Sequence, residues 1–198
     1  MAKQPANPAK DLIRRATLAA RDAMPAAARQ AGAQAIAARA FPVAVPSGAI
    51  VSGFMPIGSE INPIPLMQRL AAAGAKLALP VVIGRGKPLE MRAWAFGEPL
   101  IEQQWNIKIP PPGAPAVDPD IMLVPLAAFD RTGHRIGYGA GYYDMTIAAL
   151  RARKRLVTVG LAFSAQEVAS VPASAHDQRL DFVMTERETL SFRGAQAG

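Results

Sequence analysis

Residues 129–144, FDRTGHRIGYGAGYYD, combine what an anion-binding loop needs. Gly133, Gly137, Gly139 and Gly141 let backbone N–H groups come close to a bound anion, and Arg131 and Arg135 supply fixed positive charge. A helix opening near Gly141 would add its own N-terminal N–H groups. Tyr142, Tyr143 and Asp144 close the stretch, so a carboxylate follows the glycines directly. The chemistry implied is the cradling of phosphate. Elsewhere Lys10 and Arg14 stand four apart, and Glu60 lies in the loop MPIGSEINP. On the residues alone, Lys10 and Arg14 read as a solvated basic face and Glu60 as a surface or capping residue. Gly84–Lys87 is no P-loop, because the spacing fails and no Ser or Thr follows the lysine.

The elements that must hold these residues follow from periodicity and breakers. A helix is expected over 8–23, with Pro8 in its first turn and an apolar stripe of Leu12, Ile13, Ala16, Ala19 and Ala20. That spacing turns Lys10 and Arg14 to one side. An Ala-rich helix over 26–40 follows. AIVSGF (49–54) and KLALPVV (76–82) read as buried strands around a helix over 63–73 closed by Gly74. A strand–helix–strand unit of this length calls for a parallel α/β sheet, with ligands at the carboxyl ends of its strands. Further strands are expected over 89–96, 121–126, 156–163 and 181–184, and a helix over 141–153. The proline-rich run to Asp120 reads as an extended connection.

The 198 residues fit one domain, with a core from about 8 to 190. No cysteine is present, which removes disulfides, thiolate catalysis and Cys-ligated metals and fits a reducing cytoplasm. No apolar run is long enough to span a membrane. The net charge of +7 suits polyanionic ligands, whereas 6% aromatic residues and no aromatic-interleaved basic face argue against nucleic acid.

Taken in order, these pieces resemble the 5-formyltetrahydrofolate cyclo-ligase family, also called methenyltetrahydrofolate synthetases. LVPLAAFDRTGHRIGYGAGYYD is similar to that family's long signature, KDLIR (10–14) to its opening motif, and GLAFSAQ and HDQRLDFVMTE to its later ones. The resemblance implies an α/β fold with a mostly parallel central sheet and helices on both faces, like the NagB/RpiA/CoA-transferase architecture. It also implies Mg2+- and ATP-dependent closure of 5-formyltetrahydrofolate to 5,10-methenyltetrahydrofolate, with ADP and phosphate released.

Carried over residue by residue, the resemblance gives ATP binding to Lys10, Arg14, Arg135 and the loop Gly137, Tyr138, Gly139, Ala140, Gly141, Tyr142 and Tyr143. Lys10 and Arg135 would act on the transferring phosphoryl group, and Asp144 and Asp177 would hold magnesium. Glu60 would bind the pterin, with Arg14 also near the folate. Tyr142 and Tyr143 either touch substrate or only pack the loop. Met55, Met91 and Trp94 either line an apolar pterin pocket or belong to the core. Ala140 and Met145 depart from the family's commoner Gly or Lys and Arg. Two rivals remain: a paralogue with the same nucleotide loop and another substrate, and a non-catalytic nucleotide- or RNA-binding module.

Overall fold

The computed structural model describes residues 7–103 and 107–194. A seven-stranded sheet runs in the order β11-β10-β9-β6-β1-β2-β3. Its strands are β1 (Ile50–Ser52), β2 (Lys76–Val81), β3 (Glu90–Ala93), β6 (Ile121–Pro125), β9 (Val157–Leu161), β10 (Phe182–Met184) and β11 (Thr189–Ser191). Pairing is parallel from β10 through β9, β6 and β1 to β2, and antiparallel only at the edges β11 and β3. Two hairpins stand apart: β4 (Ile101–Glu102) with β5 (Lys108–Ile109), and β7 (Ala128–Phe129) with β8 (Arg135–Ile136). The four α-helices are α1 (Pro8–Asp22), α2 (Ala26–Ala38), α3 (Ile64–Ala72) and α4 (Tyr142–Arg151).

The parallel strands read as continuous apolar runs because both faces of the sheet are covered. In β6, Ile121 and Leu123 join the core made with Ile36 of α2 and Leu66, Met67 and Leu70 of α3. Met122 and Val124 point the other way, to Ile147 and Leu150 of α4. The expected α/β architecture with helices on both faces is therefore present, with boundaries moved by up to three residues. The expected extended connection before Asp120 also carries β4 and β5, too short to leave a periodicity. No helix among the described residues is long and apolar enough to cross a membrane.

Helix α1 departs from the expectation for its faces. Leu12 is 64% exposed, and Ala16, Ala19 and Ala20 are exposed too. The buried side chains are Thr17 and Arg21. Alanines lose little by facing water, so the helix is free to turn its polar row, Lys10, Arg14, Thr17 and Arg21, against the protein. Asn7 starts it, its side chain accepting from the N–H groups of Ala9 and Lys10.

Candidate active site

The site gathers at the carboxyl end of β6, where the chain turns through the β7–β8 hairpin into the glycine loop. The hairpin is shaped by Asp130. Its Oδ1 accepts from the N–H of Thr132 at 2.9 Å and of His134 at 3.2 Å, and its Oδ2 from the N–H of Val171 at 2.8 Å. β8 then delivers Arg135, only 6% exposed. Its Nη1 donates to the Gln178 carbonyl at 2.6 Å and its Nη2 to Asp144 Oδ1 at 3.0 Å. The planar fork is thus fixed at two points before any ligand is considered.

Past Arg135 the chain makes the turn that opens α4. Gly139 has φ +97 and Gly141, at the helix N-cap, φ +70. Both lie in the left-handed region that L side chains avoid. No side chain caps this helix, so its first N–H groups remain available. Tyr142 and Tyr143 begin the helix, and Asp144 sits in its first turn. Asp144 Oδ1 also accepts from the Gln178 N–H at 2.9 Å. The neighbour of Gln178 is Asp177, so this bond brings the two acidic residues into the same part of the site.

α1 closes the site from above. Lys10 Nζ meets Asp177 Oδ2 at 2.5 Å. Arg14 donates from Nε to the Gly137 carbonyl at 2.7 Å and pairs with Asp11 through Nη1. A methyl group added at Gly139 would lie 3.5 Å from Arg14 Nη2, so the guanidinium rests on the glycine loop. Asp177 Oδ2 also accepts from the Ser174 N–H at 2.6 Å and hydroxyl at 3.0 Å. Burial disfavours the Asp177 charge, but the Lys10 ammonium and the Ser174 donors outweigh it and hold the carboxyl below its ordinary range.

The loop after β1 brings Glu60 to the other side. The residue is 7% exposed. Its Oε2 accepts from the Ile57 N–H at 2.8 Å, while Oε1 is buried without a partner among the described residues. Burial pushes this carboxyl up; the Ile57 N–H, the Tyr138 hydroxyl and the Arg21 charge oppose the rise without cancelling it. Burial likewise raises Tyr138 and Tyr143, and the Glu60 charge adds to both shifts, so the carboxylate is close to both rings. A cleft of about 330 Å³ begins at Glu60 and runs along α2 past Gln30, Arg29 and Gln34, a volume at the lower end for small-molecule sites.

Lys10, Arg14, Arg135, the glycine loop, Asp144, Asp177 and Glu60 are thus brought together, while Trp94, Arg131 and Met91 go elsewhere. Trp94 follows β3, which runs antiparallel to β2, and its N–H donates to the Leu77 carbonyl near the start of β2. It therefore lies in the core toward the amino end of the parallel strands, with Nε1 donating to the Glu98 carbonyl at 3.3 Å. Arg131 points outward to Glu167 and Glu188. Met91, also on β3, is buried on the α4 face of the sheet. Met55 packs partly buried against the core just before Pro56, a cleft residue. Arg21, Ser59, Ser174 and Gln178 were not expected. Arg21 alone had a readable signal, since it continues the row of Lys10 and Arg14 seven residues on.

Asp144 and Asp177 offer carboxylate oxygen, which suits a hard cation. Asp144 Oδ2 and Asp177 Oδ1 accept no hydrogen bond among the described residues. No cluster of three metal-binding side chains exists among those residues, so an ion here would need further oxygens from a phosphate ligand and water.

Comparison with known proteins gives the family of the chain. The model of the 5-formyltetrahydrofolate cyclo-ligase family matches residues 6–186. The 5-formyltetrahydrofolate cyclo-ligase of Mycolicibacterium smegmatis is 32% identical over 189 residues, covering 91% of this chain and 95% of that protein. That of Escherichia coli K12 is 31% identical over 141 residues, 68% of this chain and 76% of that one. The solved 5,10-methenyltetrahydrofolate synthetase of Aquifex aeolicus superposes with a TM-score of 0.77 at 25% identity, covering 96% of this chain and 95% of that one. The Mycoplasma pneumoniae synthetase shares the fold, with a TM-score of 0.72 at 21% identity over 89% of this chain and 98% of that one. With its glycine loop, paired carboxylates and matched length, the chain belongs to the 5-formyltetrahydrofolate cyclo-ligase family, a family of ligases.

Proposed function

We propose that this chain closes 5-formyltetrahydrofolate to 5,10-methenyltetrahydrofolate with consumption of ATP. The carrying observation is the opposition of two half-sites. Arg14 rests on the glycine loop, Lys10 and Arg135 pair with Asp177 and Asp144 beside it, and Glu60 lies near Tyr138 of that loop with one carboxylate oxygen buried and unpaired among the described residues. The first half-site suits a polyphosphate. The second suits a heterocycle carrying amino and imino donors.

ATP is required because the formyl group on N5 is an amide, whose oxygen leaves poorly. As the Pγ–O–Pβ bond breaks and ADP departs, the γ-phosphoryl group forms a bond to the formyl oxygen. The N10 lone pair then attacks the formyl carbon, N10 loses its proton, and the C–O bond breaks to release phosphate. Little of this needs covalent help from the protein. What it needs is positioning and charge complementarity around the phosphoryl oxygens.

Arg135, fixed by the Gln178 carbonyl and Asp144, presents a pre-oriented guanidinium. Arg14 and the N–H groups from Gly137 through Ala140 to Tyr143 hold the phosphates, and Arg14 reaches toward the folate. Lys10 moves between Asp177 and phosphate oxygens. Asp144 and Asp177 would hold Mg2+ through their free oxygens, and that ion would draw charge from the transferring group. Glu60 takes the pterin amino and imino hydrogens, the cleft along α2 receives the rest of the folate, and Met55, beside the cleft residue Pro56, and Tyr142 are the further substrate contacts in this reading. Trp94 has no part in this reading.

Protein mixed with Mg·ATP and 5-formyltetrahydrofolate should develop the near-ultraviolet absorbance of the methenyl product, and should not when ATP is omitted. No absorbance change with both substrates present, or equal change without ATP, would refute the proposal.

A further inference from the structure

Arg21 is one of the most deeply placed cations of the described chain, 4% exposed, and it belongs to neither half-site. Its guanidinium spans the gap between them. Nε donates to the Ser59 hydroxyl at 2.9 Å, one residue before Glu60, and Nη2 donates to the Tyr138 hydroxyl at 3.0 Å, inside the glycine loop. The guanidinium carbon also lies 6.0 Å from the centre of the Tyr138 ring, within cation–π reach. The Ser59 hydroxyl in turn donates to Asp22, so its lone pairs are turned to Arg21.

Stability alone does not account for this residue. No carboxylate lies within 4.0 Å of the Arg21 guanidinium among the described residues, so the charge is buried against hydroxyls and a ring. A buried cation without an ion pair is costly, and an apolar side chain of similar length would fill the same space at less cost. Tyr138 is odd in a matching way. It is a large aromatic residue, 47% exposed, standing between Gly137 and Gly139 where the loop is otherwise built to be small. Arg21 is what gives that ring a fixed place.

We propose that Arg21 is a positioning residue: by holding the Ser59 and Tyr138 hydroxyls at once, it ties the glycine loop to the loop carrying Glu60 and sets the spacing between the two substrates. The proposal rests on the two-substrate reading of the site. It assigns Arg21 no contact with reacting atoms.

The test compares Arg21→Met, Arg21→Lys, Tyr138→Phe and the double variant Arg21→Met/Tyr138→Phe in the full chain. Amide hydrogen exchange of residues 137–141 is measured in the free protein, and KM for each substrate, kcat and Tm are measured in parallel. Arg21→Met and Tyr138→Phe should each speed exchange in the loop severalfold and lower kcat/KM about tenfold, with KM rising for both substrates. The double variant should be no worse than Arg21→Met alone, because both changes cut one link. Arg21→Lys, whose single ammonium reaches one hydroxyl and not both, should fall between wild type and Arg21→Met.

Effects that multiply in the double variant, or a Tyr138→Phe protein with wild-type exchange and kinetics, would overturn the proposal. If Arg21→Met does not fold, Tyr138→Phe decides, since its ring is half-exposed. Should the wild type form no methenyl product, the proposed function falls, and the exchange measurement still decides whether Arg21 orders the loop.

Discussion

Replacing Glu60 with Gln should make the protein more stable while damaging its folate site. The reason lies in one atom. Glu60 Oε2 is satisfied by the Ile57 N–H, but Oε1 is buried with no partner among the described residues. An unsatisfied buried polar atom costs about 1–3 kcal/mol, and more when charged. Gln keeps the acceptor for Ile57 and removes the charge, while its amide nitrogen takes the buried place of Oε1, so the gain comes from neutralisation alone. Part of the gain is offset because Arg21 and Tyr138 favour the carboxylate, although burial outweighs them. A net gain of about 1–2 kcal/mol remains at neutral pH, equivalent to a rise in Tm of roughly 2–8 °C for a chain of this size.

The pH dependence supplies the check. Because the folded-state value of Glu60 is raised above its ordinary 4.5, its contribution to stability is fully present below that value and is lost as pH rises through the folded value. Wild type and Glu60→Gln should therefore differ least near about pH 5, and the gap should widen toward about pH 8. Thermal unfolding followed by circular dichroism across that range reads this directly. In the absorbance assay the same variant should show KM for 5-formyltetrahydrofolate raised about tenfold or more, with KM for ATP little changed. A variant less stable than wild type at pH 8, or a gap that ignores pH, would show that Oε1 is not a strained atom.

Three further outcomes follow from the geometry. Asp144→Ala should abolish turnover and also lower stability by roughly 1–3 kcal/mol, because buried Arg135 and the Gln178 N–H lose their acceptor. Asp144→Asn should restore most of the Tm but not the turnover, and wild-type rates in Asp144→Asn would remove Asp144 from the metal site. Lys10→Met should move the acid unfolding midpoint to higher pH. Asp177, held below its ordinary 3.8, lends stability above that value that is lost as pH falls through the folded value, and Lys10 is the largest of the groups lowering it. The effect is at most about 1 kcal/mol for a partly solvated pair, and an unmoved midpoint in an acid titration would deny the Lys10–Asp177 contact. Gly141→Ala should cost roughly 1 kcal/mol from its φ of +70 alone, since a Cβ there meets nothing within 4 Å. Gly133→Ala, with its Cβ 2.9 Å from the Phe192 ring and 3.1 Å from the Leu180 carbonyl, should cost more; equal losses in Tm would contradict the packing.

The glycine loop was legible because its chemistry is local: glycines, an arginine and a helix start lie within one short run. Lys10 and Arg14 were legible as a pair through helical spacing, but their direction was not. The apolar stripe from Leu12 to Ala20 suggested the opposite face, and alanines carry too little buried area to decide which side of a helix turns inward. The choice between pocket and core for Trp94 was not legible because a sequence does not say that β3 runs antiparallel, which takes the end of that strand away from the ligand side. Arg21 was missed because its partners, Ser59 and Tyr138, lie 38 and 117 residues away. Its place in the row of Lys10 and Arg14 is the local trace, while its burial is a tertiary fact.

The way α1 is attached has a consequence for when the enzyme becomes competent. The contact between Lys10 and Asp177 closes across 167 residues of chain. Ile13 is the residue of α1 that joins a hydrophobic cluster, a small one beside Ala128, Ile136 and Val171 and separate from the two main cores. During synthesis α1 emerges before the segment around Ser174–Gln178, and its cations have no destination until that segment has left the ribosome. Activity should then arrive in one late step, after most of the sheet has formed. In the finished protein the same attachment makes α1 the cheapest element to release. Its opening would take Lys10, Arg14 and Arg21 out together and silence the site, while the sheet with α2, α3 and α4 stayed folded.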